Sequence, residues 1–273
     1  MQISPLRYPG GKGRWTNFIG KTIEENGLIE GLYVEPFAGG ACVALNMARL
    51  WYAKRIWIND LDKAVYAFWT AVFNDSERLC NFVEKVPLSI DEWLNQKMIY
   101  ESETYPSFDL ACAFLYLNRT NHSGIINAKP IGGMEQNGKW KIDARFNREG
   151  IIKKIRKSAK ISKRVRLTCM DGCDVIREAS HEKKVFIFAD PPYFEKGSRL
   201  YLNPEGTDLH NRVKESLHEA NCDWVLSYDN CEQAKKLFGE FKHSLVPVWY
   251  SARKKRYDKE LLFAAKYTKI PEF

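Results

Sequence analysis

Leu32-Tyr33-Val34-Glu35-Pro36-Phe37-Ala38-Gly39-Gly40 is an apolar run that ends on a carboxylate and breaks into a glycine turn, the pattern of a strand leaving a sheet. The stretch 41–53 after it has apolar residues at helical spacing, and 55–59 returns to β-rich sequence ending in Ile58-Asn59-Asp60. Strand, turn, helix and strand in that order predict a βαβ unit with two parallel strands. In open α/β sheets ligands bind beyond the carboxyl ends of strands, where glycines let the backbone come close. Asp60 follows Glu35 by 25 residues, near the interval at which an acid reaches ribose hydroxyls. The glycines do not spell GxGxxG, so a tight turn alone would also account for them.

Working outward, further strands are expected at 165–169, 185–189 and 223–227, with 243–250 and 260–267 as a closing antiparallel pair. Helices are expected at 61–73 and at 208–220, the latter behind Thr207 as N-cap. More than a hundred residues separate the second and third strands, far more than one crossover needs, which implies an inserted, mainly helical subdomain. The expected division is 1–74 with 165–273 for the sheet domain and 75–164 for the insert. The fold class is α/β, a Rossmann-like sheet that is mostly parallel with an antiparallel C-terminal strand.

The chain has 273 residues, 45% of them hydrophobic, and a net charge of +8, which suits a folded protein with an anionic partner. Between Lys139 and Arg166 there are 12 basic residues against Asp143 and Glu149, so one region carries the basicity. Trp140 and Phe146 interleave with it, the composition of a nucleic-acid surface, and Arg253-Lys254-Lys255-Arg256 adds a second patch. Trp51, Trp57 and Trp69 are read as core. The 7 cysteines include no CxxC and no zinc spacing, so reduced thiols and no metal are expected. No apolar run reaches the ~18 to 20 residues of a membrane helix and the first residues do not read as a signal peptide, which points to the cytoplasm and no membrane.

Val185-Phe186-Ile187-Phe188-Ala189 runs into Asp190-Pro191-Pro192-Tyr193-Phe194. A carboxylate, a rigid diproline and an aromatic thus stand at a strand end. The Asp190 carboxylate and the Pro191 carbonyl can accept the two hydrogens of an exocyclic amine, while Tyr193 can stack on its ring. A zinc deaminase would need a PCxxC ligand set, and a cytosine C5 methyltransferase a Pro-Cys nucleophile. Neither is present.

These motifs, with Leu6-Arg7-Tyr8-Pro9-Gly10-Gly11-Lys12 before them and Lys254 to Leu262 after them, resemble the Dam-type DNA adenine-N6 methyltransferases in the family's order. The resemblance implies S-adenosylmethionine as methyl donor, double-stranded DNA as partner and a target-recognition role for the insert. It places Tyr8 and Lys12 at the methionine end of the donor, Glu35, Pro36, Phe37 and Gly39 in the loop beneath it, Asp60 on the ribose and Asp171 on the adenine amine. Asp171 could equally be a helix N-cap, and Gly172 lacks the side chain that many relatives set against the adenine. Asp190, Pro191, Pro192 and Tyr193 would be the catalytic motif, with Asp190 counted among the cofactor-binding residues as well. Amino-methyltransfer to cytosine N4 or RNA, and a silent DNA-binding module of the same fold, are the competing readings. A restriction endonuclease as genetic partner is compatible with the family.

Asn118-Arg119-Thr120 and Gly124 resemble the family's insert motif, so Asn118 and Arg119 are candidate DNA contacts. GATC-specific relatives continue with a glycine- and arginine-bearing segment, whereas here Ile125, Ile126 and Ala128 supply no base-edge donors, so GATC is not assumed. Asn127, Lys129, Gln136 and Asn137 are the candidate base readers. Lys153, Lys154, Arg156 and Lys157 are the candidate phosphate contacts.

Overall fold

Every residue of Val185–Ala189 is buried, as a run of Val, Phe and Ile must be when a parallel sheet is covered on both faces. This strand is the middle of seven: β1 (Gly31–Glu35), β2 (Ala53–Asn59), β3 (Val165–Thr168), β4 (Val185–Ala189), β5 (Asp223–Asp229), β6 (Lys242–Tyr250) and β7 (Arg256–Ala264). Their order is β3-β2-β1-β4-β5-β7-β6, and β7 alone runs against its neighbours. Strand order reverses between β1 and β4, the switch point at which doubly wound sheets hold ligands. The computed structural model describes residues 3–8, 10–194, 207–250 and 256–272.

The helices described are α1 (Thr16–Glu25), α2 (Cys42–Arg49), α3 (Lys63–Asn74), α4 (Ser76–Lys85), α5 (Ile90–Ser102), α6 (Phe108–Thr120), α7 (Arg148–Ala159), α8 (Gly172–Ala179), α9 (Thr207–Glu219) and α10 (Glu232–Phe238). The chain forms two compact units, Lys12–Asp60 with Arg164–Phe273 and Met1–Gly11 with Leu61–Lys163. The first holds the whole sheet. In the second, α3 packs on α6 and α7, α5 on α6 and α4 on α7, around Phe68, Trp69, Phe114, Tyr116, Ile151 and Ile155.

The helical unit therefore begins at Leu61 rather than at residue 75, and it takes residues 1–11 with it. A side chain explains the second difference. Asn118, at the end of α6, accepts from the Arg7 N–H at 2.8 Å and donates to the Arg7 carbonyl at 2.9 Å, so its amide pairs with the N-terminal segment as a strand neighbour would. Gly124 lies against the same residue, with 2.3 Å between a hypothetical Cβ and the Arg7 carbonyl oxygen. No periodicity announces such a contact.

Element ends shift where the chain must turn. The helix expected at 41–53 stops at Arg49, because Trp51 takes a positive φ of 63° and Ala53 already pairs with β1. Trp51 is 62% exposed and packed under the Arg164 guanidinium, not in the core, whereas Trp57 and Trp69 are fully buried. The last strand ends at Ala264 instead of 267, where Thr268 N–H donates to the Ala265 carbonyl and closes a turn. Thr207 is the first residue of α9 rather than the residue before it.

One polar residue ties the strand ends together. Asn59, fully buried at the end of β2, donates to the Pro36 carbonyl at 2.8 Å and the Met170 carbonyl at 3.0 Å, and accepts from Thr168 Oγ1 at 2.7 Å and the Met170 N–H at 2.9 Å. Its amide spans the turns after β1 and β3. Asn59→Ala leaves several of these groups buried without partners at ~1–3 kcal/mol each, so the expected loss is roughly 3 to 5 kcal/mol. A shift of the urea midpoint within experimental error would show that the loops re-form without it.

Candidate active site

Five adjacent parallel strands deliver their last residues to one edge, and each brings a carboxylate there, Glu35, Asp60, Asp171, Asp190 and, as the last residue of β5, Asp229. Glu35, at the end of β1, is buried and accepts from Tyr33 Oη at 2.9 Å and from the Ala44 N–H, in the first turn of α2, at 2.8 Å. Burial, reinforced by the nearby charge of Asp190, pushes its carboxyl up to about 8 against those two hydrogen bonds. At neutral pH Glu35 is mostly uncharged. Asp60, after β2, accepts from the Gly39 N–H at 2.8 Å and so braces the glycine turn, where Gly39 has φ 46°.

Asp171, after β3, is the N-cap of α8, accepting from the Cys173 N–H at 2.8 Å, and it pairs with Arg212 of α9. Burial pulls its pKa up, but Arg212 and the cap bond more than offset this and hold the carboxyl below its ordinary range. Gly172 is glycine for a steric reason. A Cβ there would lie 2.4 Å from the Phe37 ring, so the Phe37 side chain occupies the space beside the start of α8 that a larger residue at 172 would claim.

At the end of β4, Asp190 collects three side-chain donors. Lys12 Nζ lies 3.0 and 3.1 Å from its two oxygens, Tyr193 Oη donates to Oδ1 at 2.9 Å and Ser227 Oγ at 2.5 Å. Lys12 also donates to Tyr193 Oη at 2.6 Å and lies 3.4 Å from Glu260 of β7. Burial draws the Lys12 pKa down, but the charges of Asp190 and Glu260 overcome it and hold the ammonium above the ordinary lysine value. The Tyr193 ring stacks on Tyr228 at 5.6 Å. Tyr228 Oη in turn meets His210 Nδ1 at 2.6 Å.

The sequence-derived candidates therefore separate. Glu35, Phe37, Gly39, Asp60, Asp171, Asp190 and Tyr193 all belong to the sheet unit, and Lys12 is built into the Asp190 cluster instead of reaching from a loop. Tyr8 belongs to the helical unit. Ser227, Glu260, Asn59 and Arg212 were not anticipated. The carboxyl-edge rule could have pointed to Asn59 and Ser227, and a lone acid inside Glu260-Leu261-Leu262-Phe263 to Glu260.

In the helical unit, several candidate DNA contacts are spent internally. Asn118 is buried and also donates to the Gly124 carbonyl at 3.1 Å. Arg119 reaches the Arg145 and Pro5 carbonyls, and burial, with Arg7 and Arg145 nearby, lowers its pKa to about 10. Gln136 donates to the carbonyls of Ile131 and Gly133 and accepts from the Ile142 N–H. Arg156 is bidentate on Glu77 at 2.9 and 2.7 Å. Phe146 is buried against Tyr116, whereas Trp140 is 66% exposed. Asn127, Lys129, Asn137 and Lys153 are exposed, and Lys154 and Lys157 are half-buried. The patch 253–255 and Pro9 lie outside the described residues.

All seven cysteines are free thiols. Among the described residues no cluster of His, Cys, Asp and Glu could hold a metal ion, and no helix is long and apolar enough to cross a membrane.

The sheet is doubly wound, with acids along its carboxyl edge and Asp-Pro-Pro-Tyr directly after its switch strand. The chain belongs to the D12 class N6 adenine-specific DNA methyltransferases, whose family model matches residues 8–251. The Type II methyltransferase M.MjaIII of Methanocaldococcus jannaschii is 26% identical over 209 residues, which are 71% of this chain and 70% of that protein. Two solved structures align more loosely. A protein of Pyrococcus horikoshii put forward as an RNA methyltransferase has a TM-score of 0.43 at 8% identity over 95% of this chain and 85% of its own. The rRNA methyltransferase aviRa of Streptomyces viridochromogenes has 0.36 at 12%, over 94% and 86%. The assignment rests on the family match.

The protonated state of Glu35 makes stability depend on pH. An unfolded glutamate ionises near pH 4.5 and the folded one at about 8, so folding binds a proton between those values. The stabilisation is complete below pH 4.5 and is lost as pH rises towards 8. In the protein without cofactor, the Tm of Glu35→Gln is therefore expected to gain on wild type from pH 5 to pH 8. A constant difference across that range would mean that Glu35 is ionised in the fold.

Proposed function

We propose that the chain transfers a methyl group from S-adenosylmethionine to the N6 amine of an adenine turned out of double-stranded DNA. The observation that carries this reading is Asp190, whose carboxylate ends the switch strand and is held by Lys12, Tyr193 and Ser227. Among the described residues Oδ1 takes three of the contacts and Oδ2 one, which leaves Oδ2 a lone pair for a substrate hydrogen. With the Pro191 carbonyl accepting the second hydrogen, and Pro192 keeping that turn rigid, the amine nitrogen would be drawn towards tetrahedral geometry with its lone pair directed at the methyl group.

The acceptors at the neighbouring strand ends suit S-adenosylmethionine. On this reading Glu35 would meet the ammonium and be ionised by it, Asp60 would accept from the ribose diol and Asp171 from the adenine amine, with Pro36 and Phe37 as the wall between. When bound, the group supplies a methyl on a sulfonium, an electrophile strong enough that no covalent enzyme intermediate is needed. Taking a base out of the duplex costs roughly a few kcal/mol, and stacking on Tyr193 would return about 1–3 of it.

For DNA, we assign base reading to Asn127, Lys129 and Asn137 and phosphate contact to Lys153, Lys154 and Lys157. Asn118, Arg119 and Gln136 support the loops, and Arg156 must leave Glu77 to take part. A restriction endonuclease as genetic partner is extended from the type II relative, and the substrate assigns the enzyme to the cytoplasm.

Asp190→Ala is expected to lower methyl incorporation from radiolabelled cofactor by about a hundredfold or more, the cost of ~3 kcal/mol at the reacting atom. The fold and cofactor affinity should stay near wild type. Turnover close to wild type in that variant would sink the reading.

A further inference from the structure

Glu260 opens the apolar half of β7, where Leu261, Leu262 and Phe263 follow it and are all buried. It is itself 1% exposed. In the β5–β7 register Ser227 faces Leu262 and Asp229 faces Glu260, so Ser227 and Glu260 share one face of the sheet. Because β7 is antiparallel, its early residues arrive at the carboxyl edge of the parallel strands. Burying a carboxylate there costs stability that an apolar residue would not.

We propose that Glu260 is a positioning residue for methyl transfer, which acts through Lys12 to hold the Asp190 carboxylate fixed for the substrate amine. The proposal rests on the reading of Asp190 as acceptor for the substrate amine. An ammonium has three hydrogens on a flexible four-carbon stem. Asp190 at 3.0 Å, the Tyr193 hydroxyl at 2.6 Å and Glu260 at 3.4 Å give Lys12 three fixed neighbours, so its position is set from both sides. The charge balance matters as much. Lys12 alone with Asp190 would cancel the carboxylate's charge, whereas a cation shared between two carboxylates leaves the cluster with one negative charge to offer a hydrogen donor.

The test is Glu260→Gln, which keeps the shape and removes the charge. We expect kcat to fall about tenfold, with KM for cofactor and DNA within about twofold and an unchanged Tm. The alkaline limb of the kcat profile should move to lower pH, because Lys12 loses one of the charges that keep it protonated. Among the described residues, the titratable groups around it are Asp190 after β4, Tyr193 in the following turn and Glu260 of β7, with buried Asp229 of β5 facing Glu260 across the ladder. Tyr33 and Glu35 of β1 and Tyr228 of β5 sense Asp190.

Placed in a Lys12→Met background, Glu260→Gln should cost nothing further, since the role runs through Lys12. If Glu260→Gln does not fold, Lys12→Met/Glu260→Leu replaces it, and its kcat should match that of Lys12→Met. Unchanged kcat and pH profile in Glu260→Gln, or an added loss without Lys12, overturns the positioning role. The two readings fail differently. Activity retained in Asp190→Ala would remove the catalytic assignment, whereas an inactive Asp190→Ala beside an unaffected Glu260→Gln would remove only the part given to Glu260.

Discussion

Parallel strands must all end on the same side, and everything in the sheet unit answers to that constraint. Each strand end releases backbone groups that have lost their ladder, and each turn there has to be satisfied locally. Asn59 does this for the turns after β1 and β3, Asp60 for the glycine turn, and Asp171 for the start of α8. The side chains that finish the fold at this edge are thus the same polar groups that a ligand would meet. Structure and site share one set of atoms.

The crowding of acids at one edge poses a charge problem, which the molecule solves in four ways. Glu35 takes a proton. Asp171 takes an arginine and Asp60 a backbone N–H, while Asp190 and Glu260 share the buried ammonium of Lys12. The last arrangement costs most, since three charged groups leave bulk water together. Of the three, only Asp190 keeps contact with solvent, its side chain 25% exposed against 5% for Lys12 and 1% for Glu260.

Much of this was legible beforehand, because local pattern and global fold agree at the strands. The run 185–189 and the turn at 36–40 are short-range signals, and every acid named from motif position was found at a strand end. What escaped reading was made of long-range pairings. Ser227 lies 37 positions from Asp190 and Asn118 lies 111 from Arg7, and nothing in a linear pattern couples such positions. The exposure of Trp51 was misjudged for a related reason. A large aromatic is normally core, but a left-handed turn and a stacked arginine give this one another place.

In the helical unit the loops are held from below by buried amides. Asn121 is buried, accepts from Trp93 Nε1 at 2.6 Å and donates to the carbonyls of Ile125 and Ile126. Its backbone also pairs with Pro130 across the base of the loop. Gln136 closes the next loop in the same manner, with its amide spent on three backbone groups. Amides whose bonds to the loops all go to backbone are indifferent to the side chains at the loop tips. Residues such as Asn127, Lys129 and Asn137 can therefore change without loosening the framework beneath them. If the proposed base readers do sit at these tips, the sequence they read would be free to change while the fold and the Asp190 cluster stay unchanged, because the amides that hold the loops make no bond to those side chains.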